Sequence, residues 1–208
     1  MSAEPEELVY GRNPVRELLA AHRRRVRRVF AMRQLMDEPW LAAARPAPRQ
    51  RDELGRMCGS SDHQGVVALV DPYPYVDPAD ILEADGPIVV LDGAQDPRNM
   101  GAIARVAEGA GAANIVIARR GTPGVTPVVC KASAGAVEHG ASRGWTASPA
   151  FLGRARDADR VVGSAAPEAE RDFRSGVLDP EAVVVLGSEG AGLRPKVAAA
   201  CTALGASP

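Results

Sequence analysis

Aromatic residues make up 4% of this 208-residue chain, three Phe, three Tyr and two Trp. That excludes an interior built on stacked rings and leaves alanine, valine and glycine to fill it, which suits closely packed helix and sheet layers. Cysteine is equally scarce. Cys58, Cys130 and Cys201 are odd in number and lack C-x-x-C spacing, so neither a disulfide framework nor a cysteine zinc site is expected, and a reducing cytoplasm is the simplest setting. No metal is implied. No apolar run approaches the roughly 18 residues of a membrane helix, and Ser2-Ala3-Glu4-Pro5-Glu6-Glu7 is acidic where a signal sequence would be basic. Lysine occurs at Lys131 and Lys196 alone. Positive charge is therefore almost all guanidinium, the better fork for phosphate.

What is present is 46% hydrophobic residues, enough for one large domain or two small ones. The net charge of -1 hides an asymmetry, because the segment from Arg12 to Arg56 holds twelve arginines against Glu17, Asp37, Glu38, Asp52 and Glu53. Such a segment is either a solvated face or an anion-binding one.

Residues 1–75 read as a small α/β domain. Leu8 to Tyr10 is β-like; Asn13-Pro14 is expected to cap a helix that turns Val15, Leu18 and Leu19 inward and ends at Arg23-Arg24-Arg25. Val26 to Met32 and Gly65 to Val70 read as strands, and Trp40 to Ala44 and Glu53 to Cys58 as short helices. His63, at the entrance to an apolar strand, is expected to be a structural hydrogen-bonder rather than a catalyst. Asp71 to Pro78 carries three prolines and reads as a stiff connection, with residues 76–85 a linker. Tyr73 and Tyr75 are expected to pack it against a domain.

Residues 86–208 read as a second domain. The apolar run Ile88-Val89-Val90-Leu91 has the pattern of a strand buried on both faces. After a polar loop, Asp96-Pro97-Arg98-Asn99 supplies turn chemistry, so a helix is expected from near Asn99, with Ile103, Val106 and Ala107 inward and Gly109 and Gly111 ending it. Asn114 to Ile117 resumes a strand and completes a β-α-β unit. Gly121 to Pro127 reads as a loop, Val128 to Glu138 as a helix of small residues, Ala150 to Ala158 as a helix and Arg160 to Gly163 as a strand. Trp145 is expected in the core, and Pro167 to Asp179 as a surface excursion. Ala182 to Leu186 is another buried strand that runs into Gly187-Ser188-Glu189-Gly190-Ala191-Gly192-Leu193-Arg194-Pro195. Ligands of open parallel sheets lie beyond the carboxyl ends of the strands, which places Asp92, Asp96, Asn99 and Arg105 at a candidate site. The glycines would bring backbone N–H groups close to a ligand, in an order that does not match the dinucleotide fingerprint G-x-G-x-x-G. Asn99 as a plain helix cap and Arg105 as a solvated side chain remain the competing structural reading.

Together Asp96 to Arg105 and Leu186 to Leu193 resemble motifs 1 and 2 of the SPOUT superfamily, specifically the SpoU/TrmH family of RNA ribose 2′-O-methyltransferases. Val9-Tyr10-Gly11-Arg12-Asn13-Pro14-Val15 and His63-Gln64-Gly65-Val66-Val67-Ala68 are further similar to the bacterial branch that methylates a guanosine of 23S rRNA. The resemblance implies an α/β-knot methyltransferase domain on a parallel sheet, preceded by a small ribosomal-protein-like RNA-binding domain. It also implies S-adenosylmethionine as cofactor, a homodimer, and RNA contacts by residues such as Arg12, Arg23, Arg24 and Arg25. Within it, Arg105 would act on the hydroxyl, Asn99 would position Arg105 or the ribose-phosphate, and Glu189 would anchor the site. Leu186, Gly187, Gly190, Gly192 and Leu193 would border the cofactor.

The family's third motif, an Ile-Pro-Met turn and a Ser-Leu-Asn-Val-Ser segment, is expected about where this sequence stops, after Ala203-Leu204-Gly205-Ala206-Ser207-Pro208. The knot and half the cofactor pocket are therefore expected to be incomplete. Two readings stay open, a methyltransferase or an RNA-binding relative without chemistry. A Rossmann dehydrogenase is disfavoured by the glycine order and by the lack of a ribose-binding acid at the expected distance.

Overall fold

A computed structural model describes residues 6–75, 77–112, 114–117, 124–139, 149–165 and 180–205. The strands are β1 (Glu7–Tyr10), β2 (Val26–Ala31), β3 (Ala47–Pro48), β4 (Val66–Val70), β5 (Ile88–Asp92), β6 (Asn114–Ile117), β7 (Val162–Ala165), β8 (Val183–Gly187) and β9 (Ala203–Gly205). The helices are α1 (Arg12–Ala21), α2 (Pro39–Ala42), α3 (Arg51–Cys58), α4 (Pro78–Leu82), α5 (Pro97–Gly109), α6 (Pro127–Ala132), α7 (Pro149–Asp157) and α8 (Pro195–Ala198). Contacts divide the chain into two compact units. One comprises Met1–Pro74, Gly101–Arg105 and Val125–His139; the other comprises Tyr75–Met100, Val106–Gly124 and Gly140–Pro208. The division expected near residue 75 is thus crossed by two short segments that group with the N-terminal residues.

In the first unit the sheet runs β1-β4-β2-β3, with β4 antiparallel to β1 and β2 and β3 parallel to β2. Central β4 buries Val66, Val67, Ala68 and Val70, the continuous apolar run that its sequence presents. Helix α1 begins at Arg12, earlier than Asn13-Pro14 suggested, because Gly11 at φ 102° makes the turn that a side-chain cap would otherwise make. Val15 and Leu18 are buried as expected and Leu19 is half-buried. Helix α3 starts with a Gln50–Glu53 capping box and sends Leu54 into a cluster with Tyr10, Phe30 and Val67. The single helix expected over 128–138 is broken. Helix α6, capped by Thr126, stops at Ala132; Ala134 (φ 53°) and Gly135 (φ 91°) reverse the chain before a turn of 3₁₀ helix at Ala136–Glu138. A Cβ on Gly135 would stand 2.7 Å from the Glu17 Cβ, so this turn requires glycine.

The second unit is a parallel five-stranded sheet, β6-β5-β8-β7-β9. Every residue of β5 is buried, as a strand covered on both faces demands. Its Ile88 and Val90 pack with Val183 and Val185 of β8, Val116 of β6, and Phe151, Leu152 and Ala155 of α7. Arg160, where a strand start was expected, is instead a buried cross-tie. Its guanidinium donates to the carbonyls of Leu82 (3.3 Å), Ala84 (2.5 Å), Gly86 (2.9 Å) and Glu181 (2.8 Å), and β7 begins only at Val162. Strands β3 and β9 were not expected, and α4 lies in the stretch read as a linker. Trp145, Pro167 to Asp179 and residues 121–123 of the Gly121 to Pro127 loop fall outside the described residues. Among the described residues no helix is long and apolar enough to cross a membrane.

Candidate functional site

Strands β5 and β8 lie side by side, and their register pairs Asp92 with Gly187 at their carboxyl ends. From β5 the chain proceeds to β6 on one side; from β8 it proceeds past β7 to β9 on the other. That reversal is a topological switch point, where open α/β sheets hold their ligands. The two motif-bearing loops leave the sheet here.

Asn99 and Glu189 meet across it. The Asn99 Nδ2 donates to Glu189 Oε1 at 2.8 Å, a charge-assisted bond between residues ninety positions apart in the chain. Helix α5 frees Asn99 for this by taking a different cap. Asp96 receives the Arg98 backbone N–H at 2.7 Å and Pro97 occupies the first turn. The reading of Asn99 as a plain cap is thereby corrected.

The glycine-rich turn closes on itself. Ser188 and Gly192 exchange two backbone hydrogen bonds, both 3.0 Å, and Glu189 stands at the tip. Gly187 is obligatory, since a Cβ there would lie 2.4 Å from the Gly192 carbonyl carbon. At Gly190 (φ 81°) and Gly192 (φ 65°) a Cβ would meet nothing within 4 Å, so the outer side of the loop is open. Leu186 is half-buried, and Leu193 packs against the core of the unit. Sequence reasoning passed over a second tie. Asp92, 1% exposed, accepts the Arg194 backbone N–H (2.9 Å) and its Nε (2.6 Å), fastening the end of the loop to the end of β5. The available signal was an acid ending a buried strand and a cation ending a glycine loop.

Arg105 is exposed on α5, with no partner among the described residues, and groups with the first unit. Six residues after Asn99, it points roughly 120° away around the helix. The Asn99–Glu189 contact therefore does not include it. Val106, expected inward, is 71% exposed, because Met100, Ala104 and Ala107 form the buried stripe.

The arginines named for RNA divide. Arg25 is exposed, Arg23 is half-buried, and Arg12 is half-exposed and ion-paired with Glu38. Arg24 is not available: its side chain is 2% exposed, with Nε and Nη2 on Glu138 (3.0 and 2.5 Å) and Nη1 on Glu7 (3.0 Å). Burial alone would lower the guanidinium pKa, but the surrounding partners, Glu138 foremost and then Cys130 and Glu7, together outweigh it and the pKa is raised. Tyr73, with its hydroxyl on the Val137 carbonyl at 2.8 Å and Arg24 over its ring, packs as expected. His63 is 1% exposed and its Nδ1 accepts the Gly65 N–H at 3.0 Å, the structural role expected of it. Desolvation, with help from the Arg51 charge, lowers its pKa. Among the described residues no group of three or more His, Cys, Asp or Glu side chains is placed to hold a metal.

Residues 86–206 match the model of the SpoU rRNA methylase family, and residues 8–76 match that of the RNA 2′-O ribose methyltransferase substrate-binding domain. The chain belongs to the SpoU rRNA methylase family. An uncharacterized tRNA/rRNA methyltransferase of Mycobacterium sp. (strain KMS) is 35% identical over 97% of this SpoU-family chain and 69% of its own length. Of TrmH-family relatives from Staphylococcus the chain spans 59 or 60% of the length. A TrmH-family structure from Porphyromonas gingivalis superposes with a TM-score of 0.79 at 26% identity, covering 98% of this chain and 80% of that one. The AdoMet-bound rRNA methyltransferase of Sinorhizobium meliloti has the same fold, with a TM-score of 0.77 at 21% identity and coverage of 98% and 78%.

Proposed function

We propose that this protein transfers a methyl group from S-adenosylmethionine to a ribose 2′-hydroxyl of RNA. The observation that carries the reading is the Asn99–Glu189 bond, which joins the two family motifs at the switch point of a SpoU-family sheet. The residues present fit the cofactor, because Gly190 and Gly192 leave bare backbone on the open side of the loop. When bound, the cofactor supplies an electrophilic methyl group on a sulfonium.

The chain's own residues then have separate tasks. Leu186, Gly187, Gly190, Gly192 and Leu193 border the cofactor; Glu189 holds Asn99, and Asn99 orients the ribose-phosphate. Arg105 faces the 2′-hydroxyl and stabilises the charge that develops as its proton leaves. A guanidinium stays protonated in proteins, so it acts as an electrostatic partner rather than as a base. Arg12, Arg23 and Arg25 contact RNA phosphates. The target is a guanosine of 23S rRNA and the working form a homodimer, both from the sequence resemblance, and the cysteine pattern supports a cytoplasmic setting.

Calorimetric titration with S-adenosylmethionine tests the reading. Micromolar binding is expected. Absence of binding would contradict it and leave an RNA-binding protein without chemistry.

A further inference from the structure

The arginines between Arg12 and Arg56 are not equivalent once folded. Arg16, Arg24 and Arg27 are neutralised by Glu17, Glu138 with Glu7, and Asp71 with Glu6, and Arg12 shares its exposed charge with Glu38. Arg28 and Arg49 are different. Both guanidinium groups lie over one ring, that of Phe30, at 5.4 and 5.0 Å from its centroid. Among the described residues neither meets a carboxylate, and the Arg49 side chain donates to the Pro48 carbonyl at 2.9 Å. The two charges are thus at most about 10 Å apart, within roughly one screening length. Phe30 is itself 5% exposed, so the guanidinium groups rather than the ring meet solvent.

Two like charges gathered on one ring repel, and an exposed cation–π contact offsets that only in part. The arrangement is satisfied by an anion. It is also pre-organised: the shared ring restrains both side chains, and guanidinium N–H groups are left to donate. The backbone is fixed too, since Arg49 N–H bonds to the Ala31 carbonyl at 2.9 Å and β3 pairs with β2 at the sheet edge. Pro46 and Pro48 remove donors from that edge, which therefore displays charge without inviting strand pairing.

We propose that Arg28 and Arg49, held by Phe30, form a docking point for the phosphodiester backbone of the substrate RNA. This rests on the reading that RNA is the substrate. Contacts of this kind fix the position of the RNA and do not read its sequence.

The test is the salt dependence of binding of the full chain to a fluorescein-labelled 23S rRNA fragment. Arg28→Gln/Arg49→Gln is expected to reduce the slope of log K against log salt by about 2, one per lost phosphate contact. Arg28→Lys/Arg49→Lys should keep the slope, and Arg16→Gln, which removes a paired charge elsewhere, should leave it unchanged. An unaltered slope in the Gln variant, while the parent protein binds RNA, would overturn this inference alone. A lost slope in the Lys variant would also overturn it, because the effect would then follow the fold rather than the charge. Failure of the parent protein to bind the RNA would overturn the substrate reading itself.

Discussion

Arg24 and Arg12 show how one residue type divides under burial. Arg24 is sealed between Glu138 and Glu7, whereas Arg12 pairs with Glu38 at a half-exposed surface. Removing one partner of a buried pair leaves an uncompensated charge, so Glu138→Ala should destabilise by about 3–5 kcal/mol. Arg12→Ala, at an exposed pair, should cost within about 1 kcal/mol. Urea unfolding of both variants measures the contrast, and equal midpoints would contradict it. From the sequence the cluster Arg23-Arg24-Arg25 is a run of identical cations. Which member turns inward is decided by Glu138, 114 residues away, and no local pattern carries that information. Asn99 was legible in part, because Asp96 and Asn99 are both good cap residues. The choice between them depends on Glu189, which lies on another strand's loop.

Among the strands and helices, the buried strands were easy to read and the short ones were not. Ile88 to Leu91 is a continuous β-branched run and Ala182 to Leu186 another, and both are strands with adjacent registers. Strand β3 has two residues, one of them proline, and β9 has three; neither is long enough to show a period. The helix expected over 128–138 failed for a similar reason, since small residues fit a helix and a tight turn alike and the contact of Gly135 with Glu17 decides. The loop from Gly187 to Leu193 lends itself to a direct comparison of two variants. Gly187→Ala forces a Cβ to 2.4 Å from Gly192 and must open the loop, whereas Gly190→Ala meets open space and strains one positive φ at a cost of about 1–2 kcal/mol. Thermal unfolding should therefore rank Gly187→Ala well below Gly190→Ala. The reverse order would contradict the closed loop.

Across the protein as a whole, the β-α-β unit and the glycine turn carried the family from sequence to structure, because both sit on the pair of strands where the sheet reverses direction. The two-unit division was less legible: Gly101–Arg105 and Val125–His139 are remote in sequence from the N-terminal residues with which they group. Gly101 illustrates the cause. A Cβ there would lie 2.5 Å from the Ala132 Cβ, so α5 and α6 approach more closely than a side chain permits, and a glycine inside a helix does not announce that from sequence. The activity proposed for this SpoU-family chain is methyl transfer to a ribose hydroxyl. The decisive experiment is incubation of the protein with 23S rRNA and methyl-labelled S-adenosylmethionine, followed by nuclease digestion and identification of the labelled nucleoside. The expected result is label in a 2′-O-methylated nucleoside, abolished by Arg105→Ala while RNA binding persists. Label on a base, no label at all, or undiminished transfer by Arg105→Ala would refute that assignment.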